Sequence, residues 1–445
     1  MTGAGAVTSG RPDAYASFRI PAFRAFIASL LAMTLAVQIQ GVVVAWQVYA
    51  LTRDPLSLGL VGLAEALPFL AIALPAGQWA DRYDRRRIAV GAIAVLVACA
   101  VALFALTATG ALTPRPGGAA PRALVWLVYA VLGTSGIARA LLQPARQALA
   151  ADLVPIALYP NAVTWRSTVW QGGSVAGPAL GGLLFAFAGA SWAYAVDAAL
   201  LMVAVACMAR VVPAHARPRT GDAAARGGIL DGVRFVLREP VVLAALSLDL
   251  FGVLFGGATA LLPVFTAEVL RVEPVWLGWL RAAPACGAVL MAFALAHSPP
   301  MRRPGVTLLG VVALFGLSVI GFALSRDPWL SFALLAFGGC VDAVSVVIRS
   351  TLLQVRTPPA LMGRVMAVNS IFIGSANEIG AFESGVAASW FGTVPSVVLG
   401  GVATLVVVVV IALLSPQLRA LRSLHSMPSR DGRDGRDGRD ELRKT

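Results

Sequence analysis

Gly77-Gln-Trp-Ala-Asp-Arg-Tyr-Asp-Arg-Arg-Arg-Ile88 is a short hydrophilic stretch between two apolar runs, 56–76 and 88–109. Each run is long enough to cross a bilayer, which takes about 20 apolar residues per helix. Arginine beside a membrane span stays on the cytoplasmic side, so Arg82, Arg85, Arg86 and Arg87 orient a helical hairpin with its loop inside. The small residues Gly77 and Ala80 are expected to let helices approach closely there. Asp81 is placed to accept hydrogen bonds from a neighbouring helix end or from arginines.

The composition extends this reading to the whole chain. Of 445 residues 58% are hydrophobic and 13% charged, with a mean hydropathy of +0.80. A soluble domain carries roughly 25% charged residues, so this is an integral membrane protein. A net charge of +13 in a soluble chain would point to nucleic acid. Here the arginines fall mostly in expected inner loops, and no nucleic-acid partner is needed. Cys99, Cys207, Cys286 and Cys340 lie inside apolar runs without metal-ligand spacing and read as small buried residues. No cleavable signal peptide is expected, because the apolar run from Phe23 is too long for one.

Twelve candidate spans follow: 24–51, 56–79, 88–109, 123–145, 163–187, 191–212, 241–267, 275–297, 305–325, 328–353, 363–391 and 395–415. The fold class is therefore an all-α polytopic membrane protein, its twelve helices split six and six into two bundles. The expected organisation is a cytoplasmic N-terminal segment (1–22), a first bundle (23–212), a cytoplasmic linker (213–240), a second bundle (241–415) and a disordered cytoplasmic tail (416–445). Within the linker, 229–238 reads as an amphipathic helix suited to the inner membrane surface. The tail ends in Arg-Asp-Gly repeats. A shift of 203 places aligns Ser167, Gly177, Gly182 and Gly189 with Ser370, Gly380, Gly385 and Gly392. A shift of 210 aligns Arg139 and Arg146 with Arg349 and Arg356, the pairing two six-helix repeats require.

Charges inside hydrocarbon cost roughly 2.5–3.5 kcal/mol each at mid-membrane, so they must face protein or water. Glu65, Arg139, Arg166, Asp197, Asp249, Arg281, Asp342, Arg349, Glu378 and Glu383 all fall within candidate spans and are expected to share a polar cavity between the bundles. Glu65, Arg139, Asp197, Asp249, Asp342, Glu378 and Glu383 are the candidates for proton coupling. Gln38, Gln40, Gln47, Arg166, Gln171, Asn369 and Asn377 are candidates to line the cavity; the amides serve equally well as glue between helices. Trp165 and Trp170 are candidates to stack on a substrate. Gly173, Gly177 and Gly181 form a stripe for close helix packing, followed by Gly182, and Pro178 bends the helix. No enzyme constellation, metal site, cofactor motif or nucleotide-binding loop is evident, so transport energy must come from a gradient.

Gly77, Asp81, Arg82, Arg85 and Arg86 resemble the loop between helices two and three of the major facilitator superfamily, with Asp84 standing where that family usually has glycine. Gly177-Pro178-Ala-Leu-Gly181-Gly182 resembles its fifth-helix element, found chiefly among exporters. Arg139 with Gln143 resembles its intramembrane arginine of helix four, sometimes linked to proton coupling, with Pro144 replacing a glycine. The resemblance extends to 139–146, Asn161-Ala162 and 377–385 of the branch with siderophore exporters. It implies an inner-membrane secondary transporter exporting a siderophore, drug or amphipathic metabolite. The arginine distribution puts both termini in the cytoplasm, and carboxylates in a low-dielectric cavity make protons the expected coupling ion. The chain is expected to be a monomer. Uptake by symport or facilitation, and a transport-inactive partner or sensor, remain alternatives. Substrate and stoichiometry are not legible in the sequence.

Overall fold

In a computed structural model the structure describes residues 13–112, 122–212, 229–298, 301, 303–358 and 361–421. Helices α1 (Pro21–Thr52), α2 (Pro55–Arg82), α3 (Arg85–Ala108), α4 (Arg122–Asp152) and α5 (Tyr159–Ala209) build the first half. After α6 (Ile229–Arg238), the second half begins with α7 (Pro240–Phe255) and the short turn α8 (Leu262–Val264), followed by a π-helical turn (Phe265–Val269). It continues through α9 (Val275–Ala296), α10 (Pro304–Leu324), α11 (Pro328–Arg356), α12 (Met362–Phe391) and α13 (Thr393–Leu414), and ends in the single turn α14 (Pro416–Arg419).

Among the described residues ten helical stretches are long and apolar enough to cross a membrane. One of them, Ile156–Ala209, holds two crossings, because Gly189 breaks α5 with φ 79° and ψ 173°. The thirty-residue α12, more polar because it carries Arg364, Glu378 and Glu383, completes the twelve. Many starts are written locally: proline occupies the first turn of α1, α2, α5, α7, α10 and α11, where its missing N–H costs nothing.

The two halves are built alike. In the first, α1 packs on α5 and α2 on α4; in the second, α7 packs on α12 and α9 on α11. The aligned glycines Gly189 and Gly392 both adopt positive φ, 79° and 87°, a backbone state glycine enters without steric cost. Both mark where the fifth crossing of a half turns into the sixth.

The α2–α3 turn is tied down by its own charges. Asp84 caps α3, accepting from the Arg86 and Arg87 amides at 2.9 and 3.2 Å. Its φ is −66°, so the position has no need of glycine. Arg85 pairs with Asp152 at the end of α4 at 2.6 Å, and Arg86 donates to the Ala209 carbonyl at the end of α5. Arg82 is exposed, and the Asp81 side chain lies outside the described atoms. The expected close approach at Gly77 is not found: nothing lies within 4 Å of where its Cβ would stand. Ala80 is the buried small residue there.

Two outer segments also differ from expectation. The apolar side of α6 packs on protein, with Val236 buried against Val242, Leu353 and Val365. Asp231–Arg364 (3.3 Å) holds it to α12, and Glu239, just past its end, pairs with Arg356 of α11 (3.1 Å). The tail expected to be disordered from 416 begins with α14, whose Leu418 is fully buried; 422–445 and the linker residues 213–228 lie outside the described residues.

Asp84→Ala removes the cap on α3, which costs about 1 kcal/mol, whereas Asn still caps. Thermal unfolding of the purified protein should therefore show a lower midpoint for Asp84→Ala than for Asp84→Asn.

Candidate functional site: a charged seam between two bundles

The bundles meet where α2 crosses α12 and α5 crosses α9. Both crossings are glycine on glycine. A Cβ on Gly182 would stand 2.8 Å from the Gly278 Cα, and one on Gly385 2.8 Å from the Gly59 Cα. Tyr49 of α1 donates a hydrogen bond to Glu268 of the π-helical turn, so the seam is also latched at the end carrying the α1–α2 turn.

Four charges sit beside these crossings. Arg139 of α4 forms an ion pair with Glu65 of α2, both largely buried. From the other bundle, Arg281 of α9 reaches across to donate to the Gly41 carbonyl of α1 at 3.1 Å. Glu378 of α12 lies over Gly62 of α2, its carboxylate 3.3 Å from the place of an absent Cβ. The fields of Glu65, Arg139 and Glu378 all act on Arg281. Glycine at 41 and 62 is what admits these side chains from the opposite bundle.

A second charged group lies inside the second bundle. Arg349 pairs with Asp249, both buried, and Asp342 is held within the field of the same arginine. Asp249, Asp342 and Asn377 line a cavity of about 230 Å³ with Phe315 and Ser345. In the first bundle a cavity of about 190 Å³ is lined by Gln38, Arg139, Gln143, Arg146 and Trp170. The charged candidates are thus distributed over the seam and these two cavities, one in each bundle.

The remaining candidates sort by what they touch. Gly173 and Gly177 face Thr34 and Gln38 of α1, and Gly181 faces Ile39. That stripe packs within the first bundle, whereas Gly182 and the Pro178 carbonyl face Gly278 across the seam. Asp197 is fully buried, and neither carboxylate oxygen has a hydrogen-bond partner among the described residues; the Arg139 charge acts on it. Glu383 is half-buried with no ion pair among the described residues.

Several expected cavity residues are used elsewhere. Gln47 accepts from Tyr194 at 2.9 Å and donates to Thr107 at 3.2 Å, a buried link within the first bundle. Gln40 is buried away from both cavities, and half-buried Gln171 lines neither. Asn369 is half-buried, its Oδ1 without a hydrogen-bond partner among the described residues. Trp165 packs edge-on against Phe18 at 4.8 Å and donates to the Ala14 carbonyl at 2.8 Å, so it anchors the N-terminal segment and does not face a cavity. Arg166 neighbours Arg146. Sequence reading missed the latch, because Tyr49 and Glu268 carry no local signal, and Arg146, which it placed in a loop just past the fourth span. The four cysteines are free, and no metal-ligand cluster occurs among the described residues.

Twelve crossings in two pseudo-symmetric bundles, meeting along a charged glycine-lined seam, define a secondary transporter of the major facilitator type. The chain belongs to the transmembrane secretion effector family of that superfamily, whose family model matches residues 12–434. It is similar to the enterobactin exporter EntS of Escherichia coli O139:H28 and of Escherichia fergusonii: 28% identical over 413 residues, covering 90% of this chain and 93% of the relative. Among solved structures, its fold is like that of a bacterial homologue of the human lysosomal transporter Spinster in an inward-facing, unoccupied conformation. That match has a TM-score of 0.70 at 18% identity and covers 92% of this chain and 99% of the other. A POT family transporter in complex with 5-aminolevulinic acid matches with a TM-score of 0.63 at 11% identity, over 89% and 96% of the two chains.

Gly278→Val places side-chain atoms where the Pro178 carbonyl stands 2.6 Å from the ideal Cβ, and should force the seam apart. With cysteines at 49 and 268 in an otherwise cysteine-free chain, a bifunctional thiol reagent long enough to span the replaced tyrosine and glutamate side chains should crosslink them efficiently, and Gly278→Val should reduce that severalfold.

Proposed function

We propose that this transporter exports a small amphipathic molecule across the inner membrane in exchange for protons, alternating access by rocking the bundles 23–212 and 241–415 about the seam. The observation that carries this is the placement of Glu65, Arg139, Arg281 and Glu378 in the seam. Ionised groups in a largely buried contact stabilise it only while each has its partner; removing one partner of a fully buried pair costs about 3–5 kcal/mol. Protonating Glu378 or Glu65 takes away a counter-charge of Arg281 and Arg139, which weakens that seam and favours its opening. A proton taken up on one side and released on the other is then linked to the rocking motion.

Export, as against uptake, is supported by likeness to the enterobactin exporter over nearly the full chain, and a siderophore is the first substrate class to test. Both termini are assigned to the cytoplasm from the arginines of the α2–α3 turn and the Arg356 and Arg364 ends of α11 and α12. The chain works as a monomer in the lipid bilayer, needing no cofactor, because both halves of the seam come from one polypeptide.

Spent medium from iron-starved cells with and without the protein should differ in one exported metabolite. In inverted vesicles that metabolite should enter the lumen as protons leave, so the lumen becomes alkaline. Glu378→Gln should cut the coupled proton movement tenfold or more while the protein still reaches the membrane, and Asp81→Asn should abolish export. Protons moving in the same direction as the metabolite would instead establish symport and end the antiport reading.

A further inference from the structure

The first-bundle cavity holds positive charge that the seam does not use. Arg139 is neutralised by Glu65, but Arg146, two helical turns further along the same face of α4, is not. Its polar contact among the described residues is a soft one, Nη1 to the Met33 sulfur at 3.8 Å. Among the described residues neither Arg146 nor Arg166 pairs with a carboxylate, and the charge acting on Arg146 is that of like-charged Arg166. Arg356, the repeat counterpart of Arg146, does have a partner: Glu239 at 3.1 Å. Among the described residues, the first bundle therefore offers no anion where the second bundle supplies one.

The neighbours show what kind of anion would fit. Arg166, Trp170 and Ser174 recur every four residues along one face of α5, and Trp170 and Ser174 line the cavity. Trp170 is 51% exposed and presents an unused ring beside the guanidinium groups. Gln38 and Gln143 add amide hydrogen-bonding groups to the wall. Guanidinium binds carboxylate through two parallel hydrogen bonds, and two neighbouring arginines without counter-ions are relieved by such a ligand. At about 190 Å³ the cavity is smaller than the roughly 300–1,000 Å³ of pockets that enclose a whole drug-sized ligand, so it suits a head group.

We propose that this cavity is a head-group site for aromatic carboxylates, with Arg146 holding the anion and Trp170 stacking on the ring. The assignment rests on the export reading for its meaning as a substrate site, but binding tests it separately. Full-length protein in nanodiscs of zwitterionic lipid would be titrated calorimetrically with 2-naphthoate and with neutral 2-naphthamide. Naphthoate should bind at least tenfold more tightly. Arg146→Gln should remove that preference, Arg146→Lys keep part of it, and Arg166→Gln weaken naphthoate severalfold. Trp170→Ala should weaken naphthoate without weakening hexanoate, a readout that survives if the arginine variants fail to fold. Equal binding of acid and amide, or a preference unchanged in Arg146→Gln, would overturn the site. Nanodiscs containing phosphatidylglycerol separate the two sources of anion: unchanged naphthoate affinity supports the proposal, and loss of binding assigns the arginines to a lipid headgroup and overturns it. Anion-selective binding without export would leave the site standing and remove the export reading; export without anion selectivity would do the reverse.

Discussion

Two helix backbones can touch only where neither carries a side chain, and that constraint governs how the halves of this transporter meet. Gly59 with Gly385 and Gly182 with Gly278 bring α2 onto α12 and α5 onto α9 at distances that leave no room for a Cβ. Contact of this kind gains its stability from dispersion over matched surfaces and loses it steeply with separation. A seam so built is either closed or open, with little between, which is the behaviour alternating access requires.

Charge is admitted to the same seam by the same means. Arg281 reaches the Gly41 carbonyl, and Glu378 overlies Gly62, because those positions have no side chain to obstruct them. The ionised groups are therefore tied to the closed geometry: separating the bundles moves Arg281 away from Glu65 and Arg139 together. Asp249, Arg349 and Asp342 form their own group inside the second bundle and move with it as one body. Equal chemistry thus has unequal consequences, set by whether a pair spans the moving boundary.

Much of this was legible in the residues. The spans could be read from apolar runs, helix starts from first-turn prolines, and the division into halves from the spacing of Gly182, Gly189, Gly385 and Gly392. Asp84 stands where the family usually has glycine; the structure shows it as an N-cap at negative φ, where glycine's freedom is not needed. Other readings failed because polarity in a span does not say which way a side chain points. Gln47 was as plausible a cavity residue as Gln38, yet it bonds Tyr194 and Thr107 inside the first bundle. Trp165 and Trp170 are five residues apart on one helix, and that rotation alone sends one to the N-terminal segment and the other to a cavity.

The sequence by itself determined that this chain crosses a membrane twelve times in two related halves and carries more charge in its spans than lipid tolerates. Hydropathy, helix-start chemistry and repeat spacing are properties of neighbouring residues, so they survive without coordinates. Only the tertiary structure decided which carboxylate each arginine takes, which glycines meet across the seam, and that Arg146 takes none among the described residues. Those outcomes depend on what stands opposite at the crossing of helices far apart in the chain, and periodicity names a face but not the element it faces.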